Sequence, residues 1–407
     1  MKDNSRRQLM TENIADSLDV PISAYEAAER RYQDLSNWLG DPTKAQSAAF
    51  HPHVFPQGSF RLGTVTRPWK REDYDLDLSC KLQDGVTKMT HTQEELKMLI
   101  GNDLNKYRSE RGIQERLEEK HRCWRLHYQE QLKFHMDTVP AIPEEPDMRR
   151  IIRDRMIKAG SEEILSQNVA DLAVAITDNS CLPEYIIRSP KWPISNPEGY
   201  AKWFESRMRQ AQRLLEARAA MDRVSKIDDL PSYRWKTPLQ RCIQILKRHR
   251  DIRFENDPDG KPISIIITTL AALSYRGESD IESAMISILA NMGNLINPTV
   301  PRVPNPVNPV EDFADKWSKN PNLESNFREW IDQVRADFDT LAAIDDTEVL
   351  VASAMKKFGT SVNAEKLRSQ SGLFNKASLI SSSAAYTASD GTIGSTGMKN
   401  KSHKFYA

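Results

Sequence analysis

The stretch from Tyr74 to Cys80, YDLDLSC, constrains the fold of this chain more than any other. It sets two aspartates, Asp75 and Asp77, one residue apart inside an apolar run. Side chains alternate along a strand, so Asp75, Asp77 and Ser79 point one way and Leu76, Leu78 and Cys80 the other. Carboxylates beside a hydrophobic layer are costly unless they are paired or hold a cation. The strand therefore calls for a sheet with one apolar face and a source of positive charge on the other. An isolated Asp-x-Asp is common in strands and by itself means little. Here it follows a short flexible element, QGSF, whose candidate phosphate-binding residues are Gln57, Gly58 and Ser59: backbone N–H groups and a hydroxyl suit phosphate oxygens.

A third carboxylate is available. In QLKFHMDTVPAIP, Leu132, Phe134 and Met136 alternate with Lys133, His135 and Asp137, the period of a half-buried strand. The run CWRLHYQ, residues 123–129, alternates as well, and the two make an antiparallel pair turning near Glu130, stopped by Pro140 and Pro143. Seen alone, Asp137 reads as a solvent-facing residue before a turn; with Asp75 and Asp77 it completes an all-oxygen site. Such ligands suit hard divalent cations, two Mg²⁺ ions or Mn²⁺ in their place. His135 and the pair in HPHVF (51–55) have no convergent partners in the sequence and read as structural, as do Trp192, Trp203 and Trp235.

Gly-Ser, then Asp-x-Asp on a strand, then a distal strand aspartate resembles the polymerase-β-like nucleotidyltransferase superfamily. The longer wording GSFRLGTVTRP…YDLDL with HMDTVPAIP is similar to the bacterial cyclic-oligonucleotide synthases of CBASS anti-phage defence, relatives of animal cyclic GMP-AMP synthase and of oligoadenylate synthases. The likeness runs through NPEGYAKWFESRM and LQRCIQILKRHRD, over most of residues 20–345. The gap from Ser59 to Asp75 exceeds the compact spacing of the general superfamily and fits the synthase branch better.

The resemblance implies an α+β fold: a polymerase-β-like nucleotidyltransferase domain, a mixed sheet with flanking helices, plus a helical C-terminal domain, bilobed with the active site in the cleft. The expected division is an N-terminal helix bridging the lobes (1–45), the catalytic domain (46–190), a helical domain completing the pocket (191–345) and a mostly flexible tail (346–407). The resemblance further implies NTP substrates, ATP or GTP, joined into a cyclic di- or trinucleotide containing adenine. It implies that a lysine best matched by Lys247, with Ser264 heading the next helix, reaches the donor triphosphate. By residue pattern alone, the basic cluster Lys247–Arg250 is explained by the helix dipole, while a helix N-terminus at Ser264 is a natural anion site. Related synthases sit beside ubiquitin-transfer-like E1 and E2 enzymes acting on a small C-terminal residue, for which Ala407 is the match; an activating partner is the other partner class implied.

Composition bounds the reading. Lysine plus arginine equals aspartate plus glutamate, 57 each in 407 residues, so no global field attracts nucleic acid or an anionic membrane. A small-molecule substrate is favoured over a long template. The scattered Cys80, Cys123, Cys181 and Cys242 form no C-x-x-C pair and read as reduced thiols of a cytoplasmic protein. MKDNSRRQLM is polar throughout and no apolar run approaches a membrane span.

Helical periods are expected over 22–40, 93–110, 198–221, 237–252, 263–274, 280–293 and 323–343, with 146–185 largely helical. Residues 297–312 read as an extended proline-rich connector, and EVLVASAMKKFGTSVNAEKL, which opens 346–370, as helical in its second half at best. Two other functions stay open: a related transferase modifying a protein, a drug or an RNA end, and a non-catalytic protein acting through its tail. A cluster of three acids with no cation would strain the fold, which counts against the second.

Overall fold

The computed structural model describes residues 2–70, 73–129, 133–221, 236–360, 362, 364–365 and three two-residue strands between 386 and 399. Two helices, α1 (Lys2–Leu18) and α2 (Ile22–Leu39), lead into β1 (Pro52–Pro56) and a single-turn helix, α3 (Gly58–Arg61). Then come β2 (Tyr74–Leu82), α4 (Gln93–Glu110), β3 (Glu118–Glu119), β4 (Trp124–Tyr128) and β5 (Phe134–Pro143). They are followed by α5 (Pro146–Lys158), α6 (Glu163–Ala170), β6 (Val174–Ile176) and β7 (Ile194–Ser195).

The remainder is mainly helical: α7 (Pro197–Met221), α8 (Pro238–Arg253), α9 (Ser264–Ser274) and α10 (Ile281–Asn291). A short hairpin, β8 (Pro304–Asn305) and β9 (Asn308–Asp312), precedes α11 (Asn322–Ala342) and α12 (Thr347–Phe358). The fold is α+β, with a mixed sheet flanked by helices and a helical C-terminal part.

The sheet runs β1-β2-β5-β4-β3, with β6 pairing the end of β5 and β7 pairing β6. β2 and β5 are parallel, and the crossover between them carries α4, which starts in a reciprocal capping box between Thr92 and Glu95. Leu76, Leu78 and Cys80 turn into an apolar layer with Leu96 and Ile100 of α4, Phe134 and Met136 of β5, and Tyr25 and Leu35 of α2. A second apolar core gathers α7 to α12, and α1 adds Met10, Ile14 and Leu18 to it. The N-terminal pair of helices thus touches both cores, one helix each.

Several expectations need correcting. The segment before residue 20, for which no separate helical period was expected, forms its own helix, with Met10, Ile14 and Leu18 at four-residue spacing. The N-terminal unit is two helices, not one. Residues 146–185 are helical only to Ala170; the apolar run at 174–176 pairs as β6 instead. The 297–312 connector folds into a hairpin in which the Asp312 carboxylate accepts from the backbone of Arg302, Val303 and Ala314.

Over 346–365 the helix occupies the first half. α12 is capped by Asp346, ends at Gly359 in the left-handed conformation, and buries Leu350, Ala354 and Phe358 in the helical core. The expected tail boundary at 346 therefore falls too early. Most of the rest of the expected flexible tail, the conjugation reading of Ala407, and Trp235 lie outside the described residues, as does the turn at 130–132, while Tyr386–Thr387, Ile393–Gly394 and Met398–Lys399 pair in a small sheet.

Candidate active site

Strand register assembles the acidic cluster. In the parallel β2–β5 pair Asp77 lies opposite Asp137, and Asp75 is on the same face of β2. One carboxylate oxygen from each of Asp75, Asp77 and Asp137 lies within 4.8 Å of the others. Asp75 is exposed, Asp77 half-buried and Asp137 buried, so the cluster runs from solvent into the sheet. Burial, with the charges of Asp75 and Asp137, pushes the Asp77 carboxyl up to about 8; burial and Asp137 also raise Asp75. Three hard oxygen donors that resist sharing their charge are a fitting set for a divalent cation.

Gly58 closes one side of this cluster. Its φ is +63°, and a Cβ there would lie 2.2 Å from Asp77 Oδ2. Only glycine combines that backbone with so close an approach. The backbone N–H of Gln57 donates to Asp77 O at 2.8 Å, which ties α3 to the end of β2. The Gln57 side chain donates to Leu78 O at 3.3 Å, so it faces the strand instead of the cleft.

A cleft of about 390 Å³ opens beside the aspartates, walled by Gly58, Ser59, Asp75, Asp77, Lys247 and Ser264. Of the residues singled out from sequence, these six share one cavity. Asp137 stands behind it within the carboxylate cluster, and Gln57 lies outside its wall. The sequence reading missed Arg250, Asp251 and Lys261, which line the cleft too. Arg250 donates to Ser264 Oγ at 2.8 Å and to Pro262 O at 3.1 Å, tying α8 to the head of α9. The three-residue spacing of Lys247 and Arg250 was the available signal, since it puts both on one helix face.

Helix α8 does more than carry Lys247. Gln240, Gln244, Lys247 and Arg248 lie along one face and donate to successive carbonyls of the loop after α3: Leu62, Val65, Thr64 and Arg67 respectively. Lys247 Nζ also reaches Thr64 Oγ1 at 3.1 Å. Burial, and then the nearby Arg250, lower the Lys247 ammonium to about 7. The far rim of the cleft is Trp69, on which Arg248 stacks at 5.2 Å and against which Gly359 packs so closely that a Cβ there would meet the ring at 2.3 Å.

The sequence reading also missed Arg125. It faces Asp137 across the β4–β5 ladder and donates to both of its oxygens, Nε to Oδ1 at 2.6 Å and Nη2 to Oδ2 at 2.7 Å. The expected turn near Glu130 gives a register that does not set 125 opposite 137, so the pair was not legible. His135 pairs with Asp73 at 3.0 Å, and His53 lies 3.8 Å from Glu198; neither joins the carboxylate cluster. Burial and the adjacent Asp137 push the Cys123 thiol up to about 12, so it is an unreactive neighbour.

Residues 52–140 match the nucleotidyltransferase domain of the cyclic GMP-AMP synthase DncV-like family. A c-di-GMP synthase of Roseivirga ehrenbergii is 27% identical over 333 residues, covering 81% of this chain and 77% of that one. The CD-NTase CdnG of Bradyrhizobium diazoefficiens, solved with GTP, superposes with a TM-score of 0.60 at 18% identity, covering 91% of this chain and 99% of its own. CdnC of E. coli MS115-1, solved as a complex with HORMA-deltaN, gives 0.55 at 14% identity, covering 88% and 98%. These superpositions establish a common fold across both the sheet and the helical part.

Proposed function

We propose that this nucleotidyltransferase, whose residues 52–140 are DncV-like, joins two NTPs into a cyclic dinucleotide and releases pyrophosphate. The observation that carries the reading is the convergence of Asp75, Asp77 and Asp137 beside a cleft lined by Gly58, Ser59 and Lys247. Asp75, Asp77 and Asp137 would hold Mg²⁺, with Mn²⁺ as a substitute. Bound there, two such ions would acidify an attacking ribose hydroxyl and neutralise the departing pyrophosphate.

The chain's own residues supply the rest. The α3 turn at Gly58 and Ser59 offers N–H groups and a hydroxyl to the donor phosphates, and Lys247 adds a cation from the facing helix. Ser264 lies at the head of α9, where free N–H groups face the same cleft. Positioning and charge neutralisation then account for most of the rate. A first transfer gives a linear dinucleotide, and a second attack within the same cleft closes the ring.

Motif wording favours an adenine-containing ring; the Roseivirga relative, named for c-di-GMP, favours guanine. The anti-phage role and an activating protein partner follow from the same resemblance, and the scattered cysteines favour a cytoplasmic location; a related CdnC has been solved with HORMA-deltaN. The test is incubation with Mg²⁺ and each labelled NTP, with Asp77→Asn as control, followed by phosphatase and mass spectrometry. A phosphatase-resistant product absent from the variant supports the reading and names the bases. A linear product, or transfer to a protein or RNA end, would replace it.

A further inference from the structure

The third carboxylate is paired in a way that bears on how the site loads. Arg125 and Asp137 are direct cross-strand neighbours, and the guanidinium lies as a fork over both carboxylate oxygens at 2.6 and 2.7 Å. This side-on fork, through Nε and Nη2, takes one lone pair on each oxygen, on the side facing the guanidinium, and its charge opposes a cation at the remaining pairs. Arg125 also reaches toward the rest of the cluster, with Nη2 3.9 Å from Asp75 Oδ1. Asp137 is only 8% exposed, so water gives it little alternative solvation.

The neighbouring basic side chains are otherwise engaged. His127 pairs with Glu118, His135 with Asp73, and Lys247 with the Thr64 backbone and hydroxyl. Among the described residues, the ion pair of Asp137 is with Arg125. The fork is held in place by the strand pairing itself, since residues 124–128 run in unbroken antiparallel register with 134–138.

We infer that Arg125 is a resident counter-cation of the metal-free cluster, which a divalent ion must displace from Asp137 before all three carboxylates can share it. The inference rests on the metal-binding reading of Asp75, Asp77 and Asp137. It follows that Asp75 and Asp77, free of such a fork, take the first ion, and that ligation by Asp137 is a separate, costlier step. Arg125 thereby weakens loading of the cluster in the absence of nucleotide. It is a positioning residue acting through Asp137.

The experiment is Mn²⁺ and Mg²⁺ titration of the full, nucleotide-free protein by calorimetry, with thermal unfolding in parallel, for wild type, Arg125→Gln, Arg125→Lys and Asp77→Asn. Arg125→Gln should bind Mn²⁺ roughly tenfold tighter, as expected when one positive charge leaves the site. Its metal-free Tm should fall, and its rise in Tm on adding Mn²⁺ should exceed that of wild type. Arg125→Lys keeps the charge without the fork and should fall between the two, so the comparison survives if the glutamine variant folds poorly. Unchanged or weaker metal binding in Arg125→Gln would overturn the inference and make Arg125 an orienting partner of a metal ligand. If Asp77→Asn leaves metal binding untouched in every background, the metal-binding reading itself is lost, and with it the displacement.

Discussion

Gly58 stands against the carboxylate of Asp77, with room for no more than a hydrogen: a Cβ would lie 2.2 Å from Oδ2. The contact fuses the phosphate-facing turn and the acidic strand into one rigid unit. Gly58→Ala must either push Asp77 aside or change a backbone at φ +63°, a conformation costing an L-residue about 1–2 kcal/mol. A displacement of about 1 Å at a reacting centre costs roughly 100-fold in rate. Gly58→Ala should therefore lose activity on that scale while its circular dichroism stays that of wild type; near-normal turnover would contradict the tight contact.

Lys247 is buried, donates to Thr64, and faces the cleft. A charge-assisted hydrogen bond to phosphate contributes about 1.5–3 kcal/mol. Lys247→Met should thus raise the KM for the donor NTP by roughly 10- to 100-fold. Steady-state kinetics with ATP and GTP would check this, and an unchanged KM would assign Lys247 to holding the loop alone.

Lys88 and Glu144 form an ion pair at 2.5 Å, with side chains 4% and 0% exposed. Removing one member strands the other charge in the interior, at a cost of about 3–5 kcal/mol. Lys88→Met should lower the chemical-denaturation midpoint sharply, and adding Glu144→Gln should recover part of the loss.

Asp337 links α11 to its neighbours. Trp330 Nε1–H donates to His249 Nδ1 at 3.1 Å, so the His249 proton is on Nε2 and is donated to Asp337 Oδ2 at 3.0 Å; Lys357 of α12 holds the other oxygen. Burial alone would raise the Asp337 carboxyl, but the bonds from His249 and Lys357 outweigh it and hold the group down at about 2. A depressed folded value stabilises above the unfolded value near 4 and is lost as pH falls toward 2. Acid unfolding should show wild type losing about 2 kcal/mol across that window, and Asp337→Asn, lacking the group, should lose less.

Much of the site was legible because strand and helix periods expose it directly. The alternation of Asp75 and Asp77 against Leu76 and Leu78 places both acids on one face, and the alternation of 132–137 marks the strand that carries Asp137, which the parallel β2–β5 pair sets beside them. Lys247 and Ser264 reach one cleft, although a ten-residue connection, 254–263, separates α8 from α9. What stayed hidden was held by side-chain bonds. Gln240 and Gln244 read as ordinary polar helix positions until the carbonyls they serve are in view.

Other misses left a local trace. Asp346 and Gly359 bracket α12 as N-cap and left-handed C-terminal residue, with Leu350, Ala354 and Phe358 at four-residue spacing between them. The small, polar run that follows drew attention away from those caps. The hairpin at 304–312 could not be found by period, since its prolines remove ladder donors and the backbone N–H groups of Arg302 and Val303 donate to the Asp312 side chain instead of to a strand partner.

The ladder of α8 donors on the loop after α3 has a mechanical consequence. That loop straddles two oily interiors, Leu62 entering one and Val65 the other, yet what fastens it to the helix is polar. Such bonds can be traded for water at about 0.5–1.5 kcal/mol each, a far gentler toll than prying apart greasy surfaces. The attachment of this loop to α8 is therefore easier to loosen than either apolar core, and Leu62, Thr64, Val65 and Arg67 of the same loop line the cleft.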